Sequence, residues 1–358
     1  MAESISILAV GDLVPSRRLF PASRPTGSGF DETVALIERA DLAFGDLEMP
    51  LSDRGYPKEK LIAFRAAPEI ASDLQRAGFD VLALANNHSL DYGYEALFDT
   101  IDALDRLGIH HVGAGKTLTE AVAPAIVEVK GRRVGFIAFT SLLPVGAAAS
   151  DRRPGLAPIH VHIAYEVNPH VELEEPGNPP LVKTWANRDD LAFVEARIRD
   201  LRPRVDFLVV SAHWGFGAGE ELAEYQRPLG HALIDAGADV VFGNHVHAVH
   251  GVEVYDGKAI LYSPGNFIAQ QPRAGLSDFA IHILDEMSTD GYAARVEVGD
   301  GGAYSVRLIP TVTDADGLPM IARGKAFARI ADRLARLSAQ LNTKVRVEGT
   351  EIVVALAR

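Results

Sequence analysis

The sequence predicts an α/β protein, and three observations carry that reading. Short apolar runs of strand length alternate with amphipathic stretches of helical period. Several helical stretches stop at a glycine, as at Gly78, Gly108 and Gly237. Five apolar runs end abruptly in carboxylates, amides or imidazoles, which is where α/β sheets place their chemistry. With 358 residues, 47% of them hydrophobic, the chain can bury a large core in one large domain or two.

Ile5 to Val10 reads as a short buried strand ending in Gly11-Asp12, with Arg17-Arg18 close behind. An aspartate after a strand is a good ligand for a hard cation, and it is equally a turn or capping carboxylate. Thr33 to Arg39 reads as a helix. Asp41 to Phe44 is a second strand, followed by Asp46 and Glu48. If the strand continues, alternation puts these two carboxylates on one face, where they repel unless a cation or a proton lies between them. Pro68 to Ala77 is a helix. The run Val81 to Ala85 then stops at Asn86-Asn87-His88-Ser89-Leu90-Asp91, in which Asp91 can orient the His88 ring.

Tyr94 to Leu107 reads as a helix and Ile109 to Val112 as a strand. Gly113-Ala114-Gly115 lacks the spacing of a phosphate loop and is read as a turn. A hairpin around Gly131 joins Ala125–Val129 to Val134–Phe139. Residues 146–190 are expected to form a long irregular region, with His160 and His162 on an exposed edge. Asp190 to Leu201 and Tyr225 to Ala236 are helices. Phe207 to Val210 ends in Ser211-Ala212-His213-Trp214-Gly215, and Val240 to Phe242 ends in Gly243-Asn244-His245-Val246-His247, with His250 three residues on. On extended backbone, His-x-His turns two imidazoles to one side, a metal-ligand arrangement. Ala259 to Tyr262 leads to Ser263-Pro264-Gly265-Asn266. Phe279 to Leu284 and two segments within 291–311 are expected as antiparallel strands, Ile321 to Leu341 as a long helix, and Val345 to Val354 as a closing hairpin.

Composition narrows the function. A formal net charge of −13 disfavours nucleic acid and anionic membranes as partners. The absence of cysteine excludes disulfides, thiolate nucleophiles and Cys-based zinc sites. No run approaches the ~18–20 apolar residues of a spanning helix, and Met1 to Val10 has no basic leader region, so a cytoplasmic location is expected. The polar strand ends Asp12, Asp46/Glu48, Asn87-His88, His213 and His245/His247 would gather along one sheet edge. Their sulfur-free mixture of carboxylate, amide and imidazole suits one or two divalent ions such as Mn, Fe or Zn.

The segments GDLVPSRRL (11–19), GDLEMPL (45–51), LANNHSLDYG (84–93), SAHWG (211–215), IDAGAD (234–239) and GNHVHAVHGVEVYDGKAILYSPGNF (243–267) together resemble the CapA family of the calcineurin-like metallophosphoesterase superfamily, a family named for poly-γ-glutamate capsule synthesis. The resemblance spans most of residues 5–285. It implies a four-layer αββα sandwich, two mixed sheets face to face with helices outside. It puts the main domain at 1–285, with residues 286–358 adding strands and a helix to it. By the same resemblance Asp12 and His247 would hold one metal, and Asn87, His213 and His245 the other. Asp46 or Glu48 would bridge them. His88 with Asp91 would be the acid–base pair acting beside a metal-activated water. Arg17, Arg18, Asn266 and His250 would contact substrate, with helix capping or surface pairing the alternative for the two arginines. Two departures stand out: Val14 occupies the place of a first-motif histidine in superfamily phosphatases, and Gly45-Asp46-Leu47-Glu48 replaces an Asn-Leu-Glu pattern. The expectation is a metal-dependent hydrolase of a phosphoester or an amide, peptide-like or γ-glutamyl bond. A peptide epimerase working at Cα and a non-catalytic polymer-binding protein are the alternatives.

Overall fold

The computed structural model describes residues 3–24, 27–217 and 219–356. The expected domain spans begin and end outside these residues. Among the described residues, ten strands form one sheet and six form a second. The first sheet is built on the parallel strands Ile5–Val14, Leu42–Leu47, Val81–Ala83 and His110–Val112. Antiparallel strands Asp290–Val298, Tyr304–Thr313, Glu351–Val354 and Val345–Glu348 extend it on the other side. The second sheet has parallel Arg132–Thr140, Phe207–His213, Val240–Asn244 and Lys258–Leu261, flanked by antiparallel Ala125–Val129 and Val252–Tyr255.

Strand alternation sorts the side chains into layers. Ile7, Phe44 and Val81 from the first sheet meet Phe136, Val209 and Phe242 from the second in the inner core. The Phe44 ring lies 5.5 Å from Phe136 and 6.3 Å from Phe242. On the outer face of the first sheet, helices Gly29–Glu38, Ile70–Ala77 and Gly93–Arg106 bury Leu36, Leu74 and Leu104 against Leu8, Ala43 and Leu82. Outside the second sheet, Arg188–Leu201 and Gln226–Asp235 bury Ile198 and Leu233 against Leu208 and Val241. Helix Gly324–Gln340 presents Ile330 and Leu334 to the inner core. The architecture is therefore the expected α/β four-layer sandwich. Its C-terminal strands belong to the first sheet.

Two elements differ from the sequence reading. Asp278–Asp285 is a helix, not a strand, because Ser277 caps it by accepting from the Ala280 N–H at 3.2 Å. Residues 146–190 are not structureless. They hold a two-stranded hairpin, Val161–Glu166 with Leu181–Ala186, and a short helix, Pro169–Glu174. In that hairpin His162 stacks on Trp185 at 5.7 Å, and His160 Nδ1 lies 2.6 Å from Asp190 Oδ2.

Candidate metal centre

The parallel strands of both sheets end at the same edge, and the polar strand ends meet there between the sheets. Both Ile5–Val14 and Leu42–Leu47 run past their expected ends. The first shifts register at Asp12, an irregularity of the kind that re-aims a side chain. A Cβ on Gly11 would fall 1.8 Å from the Gly265 carbonyl oxygen, so only glycine admits this close approach. Asp12 and Asp46 lie in register on neighbouring strands. Asp12, Asp46 and Glu48 are all fully buried.

The second sheet supplies the imidazoles. His213, the last residue of its strand, places Nδ1 2.7 Å from Asp46 Oδ2 and Nε2 2.7 Å from Asn87 Oδ1. His247 Nδ1 lies 3.1 Å from Asp12 Oδ2 and 2.9 Å from Asn266 Oδ1. The expected extended His-x-His is not what brings His245 and His247 here. Both have positive φ, 102° and 53°, so the backbone coils after the strand and the His245 N–H donates to Asp12 at 3.3 Å. Ligand atoms of Asp12, Asp46 and His213 gather within 4.8 Å of one another, as do those of Glu48, His245 and His247. That grouping differs from the pairing the resemblance implies, in which His245 goes with His213 and Asn87.

Glu48 sits between these sets. Its carboxylate lies 3.5 Å from His213 Nε2, 3.7 Å from His247 Nε2 and 4.0 Å from His88 Nε2. Among the described residues neither Glu48 oxygen has a hydrogen-bond partner, although both are buried; the buried His245 Nδ1 is unpartnered too. Leaving buried carboxylate oxygens unpaired is costly, and a divalent cation among these N and O donors would satisfy them. The donor set therefore fits a metal.

Burial dominates the titration behaviour. It raises Asp46 to about 7, against the Asn86 hydrogen bond and the His247 charge. It raises Glu48 well above the ordinary range, with Asp12 and Asp46 adding repulsion. It lowers His213 to about 3 and His245 well below the usual imidazole value. In His247 burial also pulls down, but the Glu48 charge and the contacts with Asp12 outweigh it and lift the ring to about 10.

His88 and Asp91 form the expected pair, with Nδ1 2.6 Å from Asp91 Oδ2. Phe64 stacks on the imidazole at 4.5 Å, and its N–H donates to Asp91 at 2.6 Å. Burial lowers His88 to about 4. Sequence reasoning missed Lys60, whose Nζ lies 2.7 Å from Asp91 Oδ1, 2.8 Å from the Asn87 carbonyl and 3.3 Å from His88 Nδ1. It also missed the work of Asn86, which donates to Asp46 and the Leu47 carbonyl and accepts from the His88 and Ser89 N–H groups. The adjacent amides Asn86-Asn87 were a legible signal for Asn86; Lys60, in a loop without periodicity, had none.

The expected substrate contacts divide. Asn266 is in the centre, beside His247. Arg18 is bound by two 2.7 Å hydrogen bonds to Asp73, and Arg17 donates to the Asp316 carbonyl at 2.8 Å, so both cations serve packing in this structure. His250 is buried apart from the other imidazoles, with Nε2 2.9 Å from the Gly219 carbonyl. A cavity of about 260 Å³ opens beside the His88 pair, lined by Lys58, Lys60, Asn87, Asp91, Tyr94 and Val145.

Comparison with known proteins follows the same residues. The family described as "Bacterial capsule synthesis protein PGA_cap" matches residues 6–271. The chain is 30% identical over 342 residues to uncharacterized protein y4sH of Sinorhizobium fredii (strain NBRC 101917 / NGR234), covering 83% of this chain and 74% of that protein. It is 29% identical over 292 residues to capsule biosynthesis protein CapA of Bacillus anthracis, covering 79% of this chain and 65% of that one. The crystal structure of TT1561 of Thermus thermophilus aligns with a TM-score of 0.39 at 9% identity, over 81% of this chain and 94% of that one. The matched span encloses the whole centre, from Asp12 to Asn266, and the chain belongs to the PGA_cap family of bacterial capsule synthesis proteins.

Proposed function

We propose that this protein is a metal-dependent hydrolase of a phosphoester or of an amide bond of the γ-glutamyl type. The observation that carries the reading is Glu48, a fully buried carboxylate with two unpartnered oxygens ringed by His88, His213 and His247. Asp12, Asp46 and His213 would hold one ion, with Asn87 beside them, and Glu48, His245 and His247 a second. Bound ions of this kind polarise a scissile carbonyl or phosphoryl oxygen and acidify water.

The chain's own residues supply the proton handling. With its Nδ1 held by Asp91, His88 keeps the tautomer whose free Nε2 faces Glu48. Burial keeps this ring neutral near pH 7, so its Nε2 would take the proton released by the attacking water and deliver it to the leaving group. The Phe64 ring and the sheet edges limit water around it. The capsule-biosynthesis names of its relatives support a peptide-like polymer or its precursor as substrate.

Elemental analysis of the purified protein, with His213→Ala and His247→Ala alongside, tests the reading. Metal present in the wild type and reduced in both variants is expected. Turnover of bis(p-nitrophenyl) phosphate or γ-glutamyl-p-nitroanilide should then follow the metal. A wild type that takes up no ion after incubation with Mn²⁺ or Zn²⁺ refutes it. Metal uptake with Cα deuterium exchange and no cleavage would instead favour epimerase chemistry.

A further inference from the structure

Asn244 closes strand Val240–Asn244 and is 1% exposed. Both ends of its side-chain amide, Oδ1 and Nδ2, are buried without a hydrogen-bond partner among the described residues. Each such group carries a desolvation penalty that Leu or Val at the same position would not. The other amides of the centre are spoken for: Asn86 by Asp46, Asn87 by His213 and Asn266 by His247.

Three further facts locate the Asn244 amide. Val240 and Phe242 face the inner core while Val241 faces outward, so alternation turns Asn244 to the inner side. Asn244 is in register with His213 on the neighbouring parallel strand, whose ring lies between Asp46 and Asn87. Strands in register are ~4.8 Å apart, so the amide starts one strand spacing from that imidazole. The next N–H along the chain, that of His245, already donates to both oxygens of Asp12 at 3.3 Å. A costly polar group at this point breaks the local rule for a buried strand end, and such breaks mark functional positions.

We propose that Asn244 is a further member of the metal centre, its Oδ1 serving as a neutral donor beside His213 for the ion held by Asp12, Asp46 and His213. This rests on the metal-dependent reading above. A neutral oxygen completes the coordination without adding a fourth carboxylate to Asp12, Asp46 and Glu48, and it gives the orphaned amide a partner that the protein itself does not supply.

The test is isothermal titration of the metal-free full chain with MnCl₂ alone and ZnCl₂ alone, for the wild type, Asn244→Leu and Asn244→Asp, with metal-free Tm recorded for each. Asn244→Leu is expected to keep or raise the metal-free Tm while weakening ion affinity at least about tenfold, the scale seen when donors or their supports are removed. Asn244→Asp keeps an oxygen in place and is expected to bind within about threefold of the wild type or more tightly. Wild-type affinity in Asn244→Leu overturns the proposal and leaves the hydrolase reading standing. A loss in Asn244→Asp as large as that in Asn244→Leu overturns it as well. If Asn244→Leu does not fold, Asn244→Ala is read in its place by the same thresholds. A wild type that binds neither ion overturns both readings together.

Discussion

Metal uptake should depend steeply on pH, and the structure gives the size of the effect. His247 is lifted to about 10 and Asp46 to about 7, so near neutral pH the metal-free centre holds protons that an ion must displace. The sign follows: protons compete with the ion, and affinity rises with pH. Below its pKa, His247 contributes about tenfold per pH unit, or about 100-fold between pH 6 and 8. Asp46, titrating inside that window, adds about another tenfold. The total is about 1,000-fold, equivalent to about 4 kcal/mol. His213 and His245 are neutral already and release nothing. Titration calorimetry with Mn²⁺ at pH 6, 7 and 8, each in two buffers of different ionisation enthalpy, reads both affinity and protons released. The decisive interval is pH 7 to 8, where His247 alone requires a further rise of about tenfold. Imidazoles of ordinary pKa would be almost fully deprotonated there, so a flat affinity above pH 7, or no proton release, refutes the electrostatic account of the centre.

Other expectations follow from single residues. Asp73→Asn should cost roughly 1–3 kcal/mol in denaturant unfolding, because it removes the charge facing the half-exposed Arg18 and leaves one acceptor oxygen where Arg18 and the Leu19 N–H now share two. Burial pushes Asp73 up, but Arg18 and the Leu19 N–H outweigh it and hold it below the usual range; its contribution is therefore complete above pH ~4 and lost as pH falls through the lower folded value, so the variant's stability should change less with pH in that acid window. Lys60→Met should lower kcat about 10–100-fold and lower Tm as well, since it leaves the buried Asp91 carboxylate without its cation and frees the Asn87 carbonyl, and Lys60→Arg should restore part of both losses; unchanged kcat in a folded Lys60→Met would remove Lys60 from the machinery. Gly11→Ala should destabilise by about 3 kcal/mol or more, because the obstructing Gly265 oxygen is backbone and cannot swing aside; a near-neutral Tm would mean the strand relaxes at Asp12.

The architecture was legible because buried parallel strands and amphipathic helices leave periodic traces, and the cluster of carboxylates, amides and imidazoles was legible because those residues follow strands. What periodicity could not show was loop geometry. Phe279–Leu284 is apolar at every position but His282, a short run that periodicity cannot tell from a strand, and the Ser277 cap marks the helix it forms instead. His250 follows His245 and His247 closely in sequence, but the positive φ values at those two residues turn the chain so that it ends against Gly219. Arg17 and Arg18 read as substrate contacts because their partners, Asp316 and Asp73, are remote in sequence. Lys60 was invisible for the converse reason: its importance lies wholly in what folding brings next to it.

The centre draws its donors from two separate sheets. Asp12, Asp46 and Glu48 come from one, His213, His245 and His247 from the other, and much of the contact between the sheets below them is non-directional apolar packing. An ion bound here would act as a rivet between the two halves of the sandwich. At a free concentration 100 times its Kd it would add about 2.7 kcal/mol to the resistance against their separation. Starving the protein of metal would then expose it to proteolysis, so its abundance would follow ion supply.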